Sequence, residues 1–299
     1  MMFRLRRLLA PFVLCIALLF SEAQAFTIAW LSDTQNYHNA YKPIFDGMTQ
    51  WIADNRAALD IRFVFHTGDV VGSWSSEDQW RQARESMGIL SNASIPFLTV
   101  CGNHDIGYRM NYANFLKYVL SLRPASMSQE YGDTGSRYEL FSANGRDYIF
   151  MGIAFSNKGP SEDEVNWING VLRQYSSRDA IIITHSYLKK SASYTTQGKA
   201  IFEKIVKANP NVFLVLCGHC RDISYKNVQL DDDGDGDPDR TVYAILSNFQ
   251  GGKAGGGGYM RILDFRDSDI YIYTYSPYYD SCEYPKYPKG KTEATVPLP

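Results

Sequence analysis

The chain has 299 residues, of which 45% are hydrophobic and 21% are charged, so it can form a large buried core. The formal net charge is −2, and it becomes −4 if residues 1–25 are removed, because these hold three arginines and one glutamate. This balance excludes broad attraction to nucleic acid or to an anionic membrane, and no nucleic-acid surface is evident. A phosphate-bearing substrate would need local positive charge.

The first 25 residues have the composition of a signal peptide. Three arginines between positions 4 and 7 precede the apolar stretch Leu8–Phe20, and Ala23-Gln24-Ala25 matches an A-x-A cleavage site. The stretch is short for a bilayer span, and an uncleaved anchor is the alternative interpretation. We expect a mature chain that begins at Phe26, keeps no membrane span and is secreted or periplasmic.

Strand-like and helix-like runs alternate in the first third of the mature chain. Thr27–Ser32 and Ile61–Thr67 predict buried strands, and apolar residues at helical spacing predict a helix between them over Ile44–Ile52. A second helix is predicted from a serine cap at position 75 or 76 to about residue 90. Pro96–Cys101 is the third predicted strand.

The middle of the chain predicts an excursion, a hairpin and two more strand–helix units. Tyr108–Arg137 is polar and aromatic, and we expect it to contain a helix near the strand ends. Arg137–Phe141 and Tyr148–Ile153 are expected to form a hairpin through Asn144-Gly145. The elements that follow are a helix with a capping box at Ser161 and Glu164, strand Ile181–Thr184, a helix around Lys199–Ala208 and strand Val212–Cys217.

The last third holds an acidic loop and a closing hairpin, Met260–Phe265 with Ile270–Tyr275. In the loop, Asp231, Asp233 and Asp235 match the first half of a calcium-binding loop, but Val242 occupies the twelfth position, where that loop needs Glu. A solvated turn and weak calcium binding are the two interpretations. The alternation of strands and helices predicts one α/β domain over residues 26–281, followed by an extended or disordered tail, 282–299.

Five predicted strands end in residues that can bind a metal ion. These are Asp33-Thr34-Gln35, Gly68-Asp69, Gly102-Asn103-His104-Asp105, His185 and Gly218-His219. Asp, Asn and His ligands together suit Mn, Fe, Zn, Co or Ni. The sequence therefore predicts a divalent metal site along one sheet edge, while His66, inside a strand, is interpreted as a packed residue.

The four cysteines of the mature chain allow another interpretation. Cys101, Cys217, Cys220 and Cys282 permit three complete disulfide pairings, between which the sequence does not choose. Cys217-Gly218-His219-Cys220 also spells the active-site motif of protein disulfide isomerases. That motif opens a helix, whereas here it ends an apolar strand, so we disfavour a redox function.

The order of the strand-end motifs resembles that of the calcineurin-like metallophosphoesterases: D-x-H, G-D, G-N-H-D/E, a lone His and G-H-x-H. The chain is most similar to secreted bacterial members whose first motif reads D-T-Q. The resemblance implies an α/β fold of four layers, α/β/β/α, with two mixed sheets flanked by helices. It also implies that a metal-activated water hydrolyses a phosphomonoester or phosphodiester substrate.

The resemblance also assigns metal ligands. Asp69 would bridge two metals, and Asn103, His185 and His219 would complete one site. Asp33 and Gln35 would serve the other, where the chain departs from the family at two positions.

The departures are Gln35 and Arg221, which stand where the family has histidines. Arg221 is permanently protonated and cannot bind a metal, so one or two metal ions are expected. Its guanidinium would bind the substrate phosphate, and an ion pair with Asp222 or with a surface Asp is the alternative. A catalytically weak or inactive relative that binds phosphorylated or glycan ligands is therefore the second functional hypothesis.

His104 and Asp105 are the expected catalytic residues. By resemblance, His104 would donate a proton to the leaving oxygen or stabilise the transition state. Asp105 would orient His104, with a turn carboxylate as the alternative role.

Overall fold

A computed structural model describes residues 25–122, 128–132 and 134–299. Residues 1–24 of the predicted signal peptide lie outside this description, as does part of the predicted excursion. Within the described residues, no helix has both the length and the apolar character needed to cross a membrane.

The strands and helices alternate along the described chain. The strands are β1 (Phe26–Leu31), β2 (Ile61–His66), β3 (Phe97–Thr99), β4 (Ser128–Tyr131), β5 (Ser136–Ala143), β6 (Arg146–Ile153), β7 (Asp179–Thr184), β8 (Val212–Cys217), β9 (Ile223–Leu230), β10 (Arg240–Ser247), β11 (Met260–Phe265), β12 (Asp269–Tyr275) and β13 (Ala294–Pro297). The helices are α1 (Lys42–Asp54), α2 (Glu77–Asn92), α3 (Ala113–Tyr118), α4 (Glu162–Gln174) and α5 (Thr196–Ile201), the last continuing into a π-helical turn, Phe202–Val206. The predicted elements are thus present, with shifted ends.

The strands form two mixed sheets. The first has the order β13-β12-β11-β1-β2-β3 and the second has the order β4-β5-β6-β7-β8-β10-β9. In the first sheet β1, β2 and β3 run parallel, and in the second β6, β7, β8 and β10 run parallel. Because the carboxyl ends of parallel strands meet at one edge, each sheet presents several loops at a single edge.

Three apolar clusters hold the layers together. Ile28 and Phe65 of the first sheet pack between the sheets against residues of the second, such as Phe150 and Leu216. Alternate residues of the same strands, such as Leu31, face the other way and pack with α1, α2 and α3. The outer face of the second sheet packs with α4 and α5. The predicted α/β/β/α sandwich is confirmed.

Local sequence signals explain several element ends. The predicted hairpin turns at Asn144 and Gly145, which both adopt positive φ, 53° and 73°. Ser161 caps α4 by accepting a hydrogen bond from the Glu164 N–H at 3.2 Å. The capping box is only half formed, because the buried Glu164 carboxylate accepts a hydrogen bond from Ser136 instead of reaching back to the cap.

The predicted boundary at residue 281 is wrong. Ala294–Pro297 forms the edge strand β13, which pairs antiparallel with β12. Tyr284 and Val296 are buried. Residues 282–299 therefore pack as part of the domain.

Asp222 ties the C-terminal segment to the end of β8. Its carboxylate accepts hydrogen bonds from Tyr287 Oη at 2.6 Å, Lys291 Nζ at 3.1 Å and the Ile223 N–H at 2.8 Å. Lys190 Nζ lies 3.3 Å away. Burial acts to raise the pKa of Asp222, but these hydrogen bonds and the Lys291 charge outweigh it and lower the pKa to about 2.

Candidate metal centre

The predicted ligands come together where the carboxyl ends of five strands meet. The two sheets supply different loops: those after β1, β2 and β3 carry Asp33, Asp69 and Asn103, and those after β7 and β8 carry His185 and His219. Backbone hydrogen bonds hold neighbouring loops together, from Asp33 N–H to Gly68 O at 3.1 Å and from Gly218 N–H to His185 O at 2.9 Å.

Gly218 is required where the two sheets meet. A Cβ atom at this position would lie 2.3 Å from Asp33 Oδ2 and 2.6 Å from Ser32 Oγ. No larger residue fits between β8 and the loop after β1, so the glycine of the fifth motif brings the sheets close enough to share one site.

His185 lies at the centre of a compact group of donor atoms. Its Nε2 is 3.3 Å from Asp69 Oδ2, 3.1 Å from His219 Nδ1 and 3.1 Å from Asn103 Oδ1. Donor atoms of Asp69, His185 and His219 all lie within 4.8 Å of one another. A carboxylate, an amide oxygen and two imidazoles at these separations fit one divalent cation. The four residues predicted for the first metal are together.

Asp33 lies beside this group, and Gln35 follows it two residues later in the loop after β1. Asp33 accepts hydrogen bonds from Ser32 Oγ and from the His219 N–H, the latter at 3.1 and 3.2 Å. Gln35 is 5% exposed, and its Oε1 is buried without a hydrogen-bond partner among the described residues. A buried, unpartnered amide oxygen fits a ligand of a bound cation.

Three of the predicted ligands adopt a backbone conformation that the sequence did not predict. Asp33, Asp69 and His219 have φ values of 51°, 54° and 68°. Non-glycine residues seldom adopt this left-handed region, and such strain concentrates at functional sites. The sequence gave only a weak signal for this left-handed conformation. Asp tolerates it better than most residues, but nothing in the sequence indicated it for His219.

The electrostatics of the site are those of a cation-binding centre. Burial acts to lower the pKa of His185, but Asp69 and Asp33 outweigh it and raise the pKa to about 9. Burial raises the pKa of Asp33 to about 7, with a further contribution from the negative charge of Asp69. Burial and the positive charge of His185 lower the pKa of His219 to about 4. The buried carboxylates thus favour a positive charge among them.

Asp69 connects the site to His104. Its Oδ1 accepts a hydrogen bond from the His104 N–H at 2.9 Å, while its Oδ2 faces His185. Burial acts to raise the pKa of Asp69, but the charge and hydrogen bond of His185 and the His104 N–H hold it below its usual range. The ring of His104 is oriented by Gly72, whose carbonyl oxygen lies 2.9 Å from Nδ1.

Asp105 has a different role from the one predicted. Both carboxylate oxygens accept backbone hydrogen bonds: Oδ1 from Val70 N–H at 2.8 Å and Val71 N–H at 3.0 Å, and Oδ2 from Gly102 N–H at 2.8 Å. Asp105 is 1% exposed. It therefore joins the loop that carries Asp69 to the loop after β3, and the prediction that it orients the His104 ring is corrected.

Arg221 is exposed two residues after His219, and its side chain has no hydrogen-bond or ion-pair partner in the part of the chain that the structure describes. The alternative of an ion pair with Asp222 is wrong, because that carboxylate is occupied by Lys190, Lys291 and Tyr287. The Arg221 guanidinium is therefore available to an anion.

Sequence comparison assigns the family. Residues 26–220 match the family model described as Calcineurin-like phosphoesterase. The chain belongs to this family. The chain is also 41% identical, over 259 residues, to the uncharacterized protein YvnB of Bacillus subtilis (strain 168). The match covers 85% of this phosphoesterase chain and 20% of YvnB, so the chain spans about a fifth of the length of that relative.

The phosphoesterase fold also resembles solved structures at low identity. A dimetal phosphatase from Danio rerio is 13% identical with a TM-score of 0.61, and the match covers 91% of this chain and 98% of that one. GAP50, the anchor in the inner membrane complex of Plasmodium, is 14% identical with a TM-score of 0.58 and coverages of 92% and 89%. The purple acid phosphatase PPD1 of yellow lupin (Lupinus luteus) is 12% identical with a TM-score of 0.58 and coverages of 92% and 54%.

His66 supports the candidate metal centre from inside β2. Its Nδ1 accepts a hydrogen bond from the Gly68 N–H at 3.1 Å, and its Nε2 lies 3.0 Å from Thr34 Oγ1. Burial, with the positive charge of His185, lowers the pKa of His66 to about 3, so the ring is neutral. His66 is a packed strand residue, as predicted, and it joins the loops that carry Asp33 and Asp69.

Cys217 and Cys220 do not form a redox pair. Cys101, Cys217 and Cys220 form no disulfide with one another in the described part of the chain, so none of the three complete pairings is present there. Burial raises the pKa of Cys217 to about 12. A thiol that is this hard to ionise lacks the thiolate that disulfide exchange needs.

The acidic loop between β9 and β10 gathers a different set of carboxylates from the one predicted. Asp231, Asp233 and Asp239 lie within reach of one another, and Asp235 does not belong to that group. All three are exposed, and Asp231 accepts hydrogen bonds from the loop N–H groups of Gly234 and Gly236. Calcium binding here stays a prediction, with Asp239 in place of Asp235.

Proposed function

We propose that this chain is a metal-dependent phosphoric ester hydrolase. The observation that carries the proposal is the meeting of Asp69, Asn103, His185 and His219 around one point, in a chain that belongs to the calcineurin-like phosphoesterase family. These four residues would hold one divalent cation of the Mn, Fe, Zn, Co or Ni group. Asp33 and Gln35 would hold a second, and the unpartnered Oε1 of Gln35 supports that assignment.

The residues around the site would act on a phosphoester as follows. A bound divalent cation supplies Lewis acidity toward phosphoryl oxygens and activates a water molecule near neutral pH. Arg221 would bind two phosphate oxygens and offset their charge. The Nδ1–H of His104 donates a hydrogen bond to Gly72 O. Nε2 is therefore the ring nitrogen that would interact with the leaving oxygen.

Activity assays with reconstituted metal test the proposal. Protein beginning at Phe26 and loaded with Mn²⁺ is expected to hydrolyse bis(4-nitrophenyl) phosphate, 4-nitrophenyl phosphate or both, and a chelator is expected to abolish the activity. Asn103→Ala is expected to lower metal content and activity together. His104→Ala is expected to lower activity by about 10²–10⁴-fold with metal retained, the range for general acid catalysis.

His38 provides the matched control. It is a histidine outside the donor group, and its ring forms a hydrogen bond with Asn39 near the surface. His38→Ala should keep wild-type activity. Full activity in Asn103→Ala or His104→Ala would refute the assignment of these residues.

We also propose that the protein is exported and belongs with the bacterial members whose first motif reads D-T-Q. The N-terminal composition supports export, and the 41% identity to a Bacillus subtilis protein supports the grouping. Expression of the full sequence in a bacterium, followed by fractionation and mass spectrometry of the N-terminus, tests export. A protein that keeps residues 1–25 and stays in the cytoplasm would contradict it.

A catalytically weak or inactive relative that binds phosphorylated or glycan ligands is the second candidate function. Gln35 and Arg221 favour it, because both stand where the family has a ligating histidine. One structural neighbour, GAP50 of Plasmodium, is described as an anchor. Metal-loaded protein that binds inorganic phosphate but hydrolyses neither nitrophenyl substrate would favour this candidate.

A further inference from the structure

An aromatic cavity opens beside the metal centre. It has a volume of about 410 Å³, and its lining includes Trp74, Asn103, Tyr108, Arg109 and Phe155. Asn103 connects the cavity directly to the donor group, since its Oδ1 is 3.1 Å from His185 Nε2. The Phe155 ring also packs against the rings of the two ligand histidines, with its centroid 5.7 Å from that of His185 and 6.0 Å from that of His219.

The floor of the cavity is rigid. The Trp74 carbonyl oxygen accepts hydrogen bonds from Trp80 Nε1 at 2.7 Å and Asn114 Nδ2 at 2.9 Å. The Trp74 ring lies against the backbone of Gly107, where a Cβ atom would come within 2.8 Å of it. This indole is therefore held in place before any ligand arrives.

Tyr108 forms an exposed wall. It is 85% exposed, the largest value among the described large hydrophobic residues that are exposed. Its ring meets Trp74 edge-on, with centroids 5.7 Å apart and planes at 80°. Tyr108 and Trp74 together present aromatic surface at the mouth of the cavity, against which a flat ring can pack.

The backbone of the loop that carries Tyr108 is strained. Arg109 and Met110 both have positive φ, 57° and 61°, and two consecutive non-glycine residues in the left-handed region are uncommon. The loop is closed by a hydrogen bond from Gly107 N–H to Asn111 O at 2.9 Å. Arg109 is exposed, and its side chain has no partner among the residues that the structure describes.

We propose that the cavity between Trp74 and Tyr108 binds a flat aromatic group of the phosphoester, an aryl or nucleoside group joined to the phosphorus that the metal centre holds. The proposal rests on the proposed function and specifies its substrate class. A ring in this cavity would pack against Trp74 and Tyr108, and the Arg109 guanidinium adds a cation–π contact. An ester with a small aliphatic group leaves the cavity unfilled.

Binding of phosphonates to Mn²⁺-loaded protein tests the proposal without requiring turnover. In isothermal titration, wild-type protein is expected to bind phenylphosphonate about tenfold more tightly than methylphosphonate, the scale of aromatic stacking at exposed sites. Tyr108→Ala is expected to remove most of this preference, and Tyr108→Phe is expected to keep it. Equal affinities in wild type, or an undiminished preference in Tyr108→Ala, would overturn the proposal.

A second aromatic cavity supplies the matched control. Tyr279 is 45% exposed and lines a different cavity of about 690 Å³, whose lining also includes Gly251, next to the Arg221 side chain. Tyr279→Ala removes the same side chain and should leave the preference for phenylphosphonate intact. Loss of the preference in this variant, and not in Tyr108→Ala, would move the aromatic group to the other cavity and overturn the assignment.

Kinetics separate failure of the inference from failure of the proposed function. Phenyl 4-nitrophenyl phosphate and methyl 4-nitrophenyl phosphate share an aromatic leaving group and differ in the group that stays on the phosphorus, so each is compared in wild type and in Tyr108→Ala. A ratio of their kcat/KM values of about ten that falls toward one in Tyr108→Ala supports the cavity. Equal kcat/KM values for the two esters that are also unchanged in Tyr108→Ala refute the cavity and keep the enzyme, whereas no hydrolysis of either refutes the enzyme and leaves the titration to decide.

Discussion

Replacement of Asp105 by Asn tests whether this carboxylate builds the site or acts through His104. Asp105 is buried and accepts three backbone hydrogen bonds, from Val70, Val71 and Gly102. The Asn side chain keeps one acceptor oxygen, which can serve Val70 and Val71. Its NH₂ group then faces the Gly102 N–H, so two donors meet and the Gly102 N–H loses its acceptor.

The expected cost follows from the lost contact. A hydrogen bond to a charged group contributes about 1.5–3 kcal/mol, and a buried donor without a partner adds to the loss, so Asp105→Asn should destabilise the fold by about 2–4 kcal/mol. Burial and the negative charge of Asp69 raise the pKa of Asp105 to about 7. The comparison is therefore made at pH 8, where the carboxylate is ionised.

Urea unfolding followed by circular dichroism measures the loss, and Asp267→Asn, at an exposed position between β11 and β12, is the matched control. Metal content and kcat/KM of Asp105→Asn should fall together, because the loop that carries Asn103 loses its attachment. A variant with wild-type stability and metal content but with lost activity would refute the reasoning. Such a result would support the role predicted from the sequence, in which Asp105 orients His104.

Three further predictions concern the rim of the site and the cysteines. Arg221→Ala should raise the inhibition constant of inorganic phosphate about tenfold with bound Mn²⁺ unchanged, and loss of metal from this variant would contradict the prediction. Arg221→His should raise the metal-to-protein ratio, and an unchanged ratio would contradict that prediction. Because the pKa of Asp222 is lowered from 3.8 to about 2, its carboxylate contributes about 2 kcal/mol above about pH 5 and loses this contribution as the pH falls toward 2. The stability difference between wild type and Asp222→Asn in urea titrations should therefore be constant above about pH 5 and narrow below pH 4. Cys217→Ser and Cys220→Ser should match wild type in an insulin reduction assay. If wild type reduces insulin measurably and either substitution removes that activity, the interpretation that these cysteines have no redox function is contradicted.

The ligands could be predicted because burial and strand direction leave little choice. An apolar run such as Val212–Cys217 buries its side chains, and its first polar residues must lie at the sheet edge. The same constraint applies to Asp33, Asp69, Asn103 and His185. The order of these motifs therefore contained most of the information about the metal centre.

The side-chain contacts within the loops could not be predicted in the same way. Asp105 bonds to amides 34 and 35 residues away along the chain, and no periodicity reports such a contact. The composition of residues 282–299, rich in Tyr, Pro and Lys, resembles that of a disordered segment. Its burial depends on partners such as Asp222 and β12, which are distant in sequence.

The two departures from the family pattern have different electrostatic consequences. Gln35 exchanges one neutral donor for another, and its buried Oε1 has no partner among the described residues. Arg221 exchanges a neutral donor for a fixed positive charge two residues after His219. One divalent cation with Arg221 supplies three positive charges to a bound phosphate, against four from two divalent cations. One divalent cation with Arg221 would therefore supply nearly the positive charge of two divalent cations. A Hill coefficient of one for activity against Mn²⁺ would indicate that the first site suffices, and a larger coefficient would indicate that the second site must also fill.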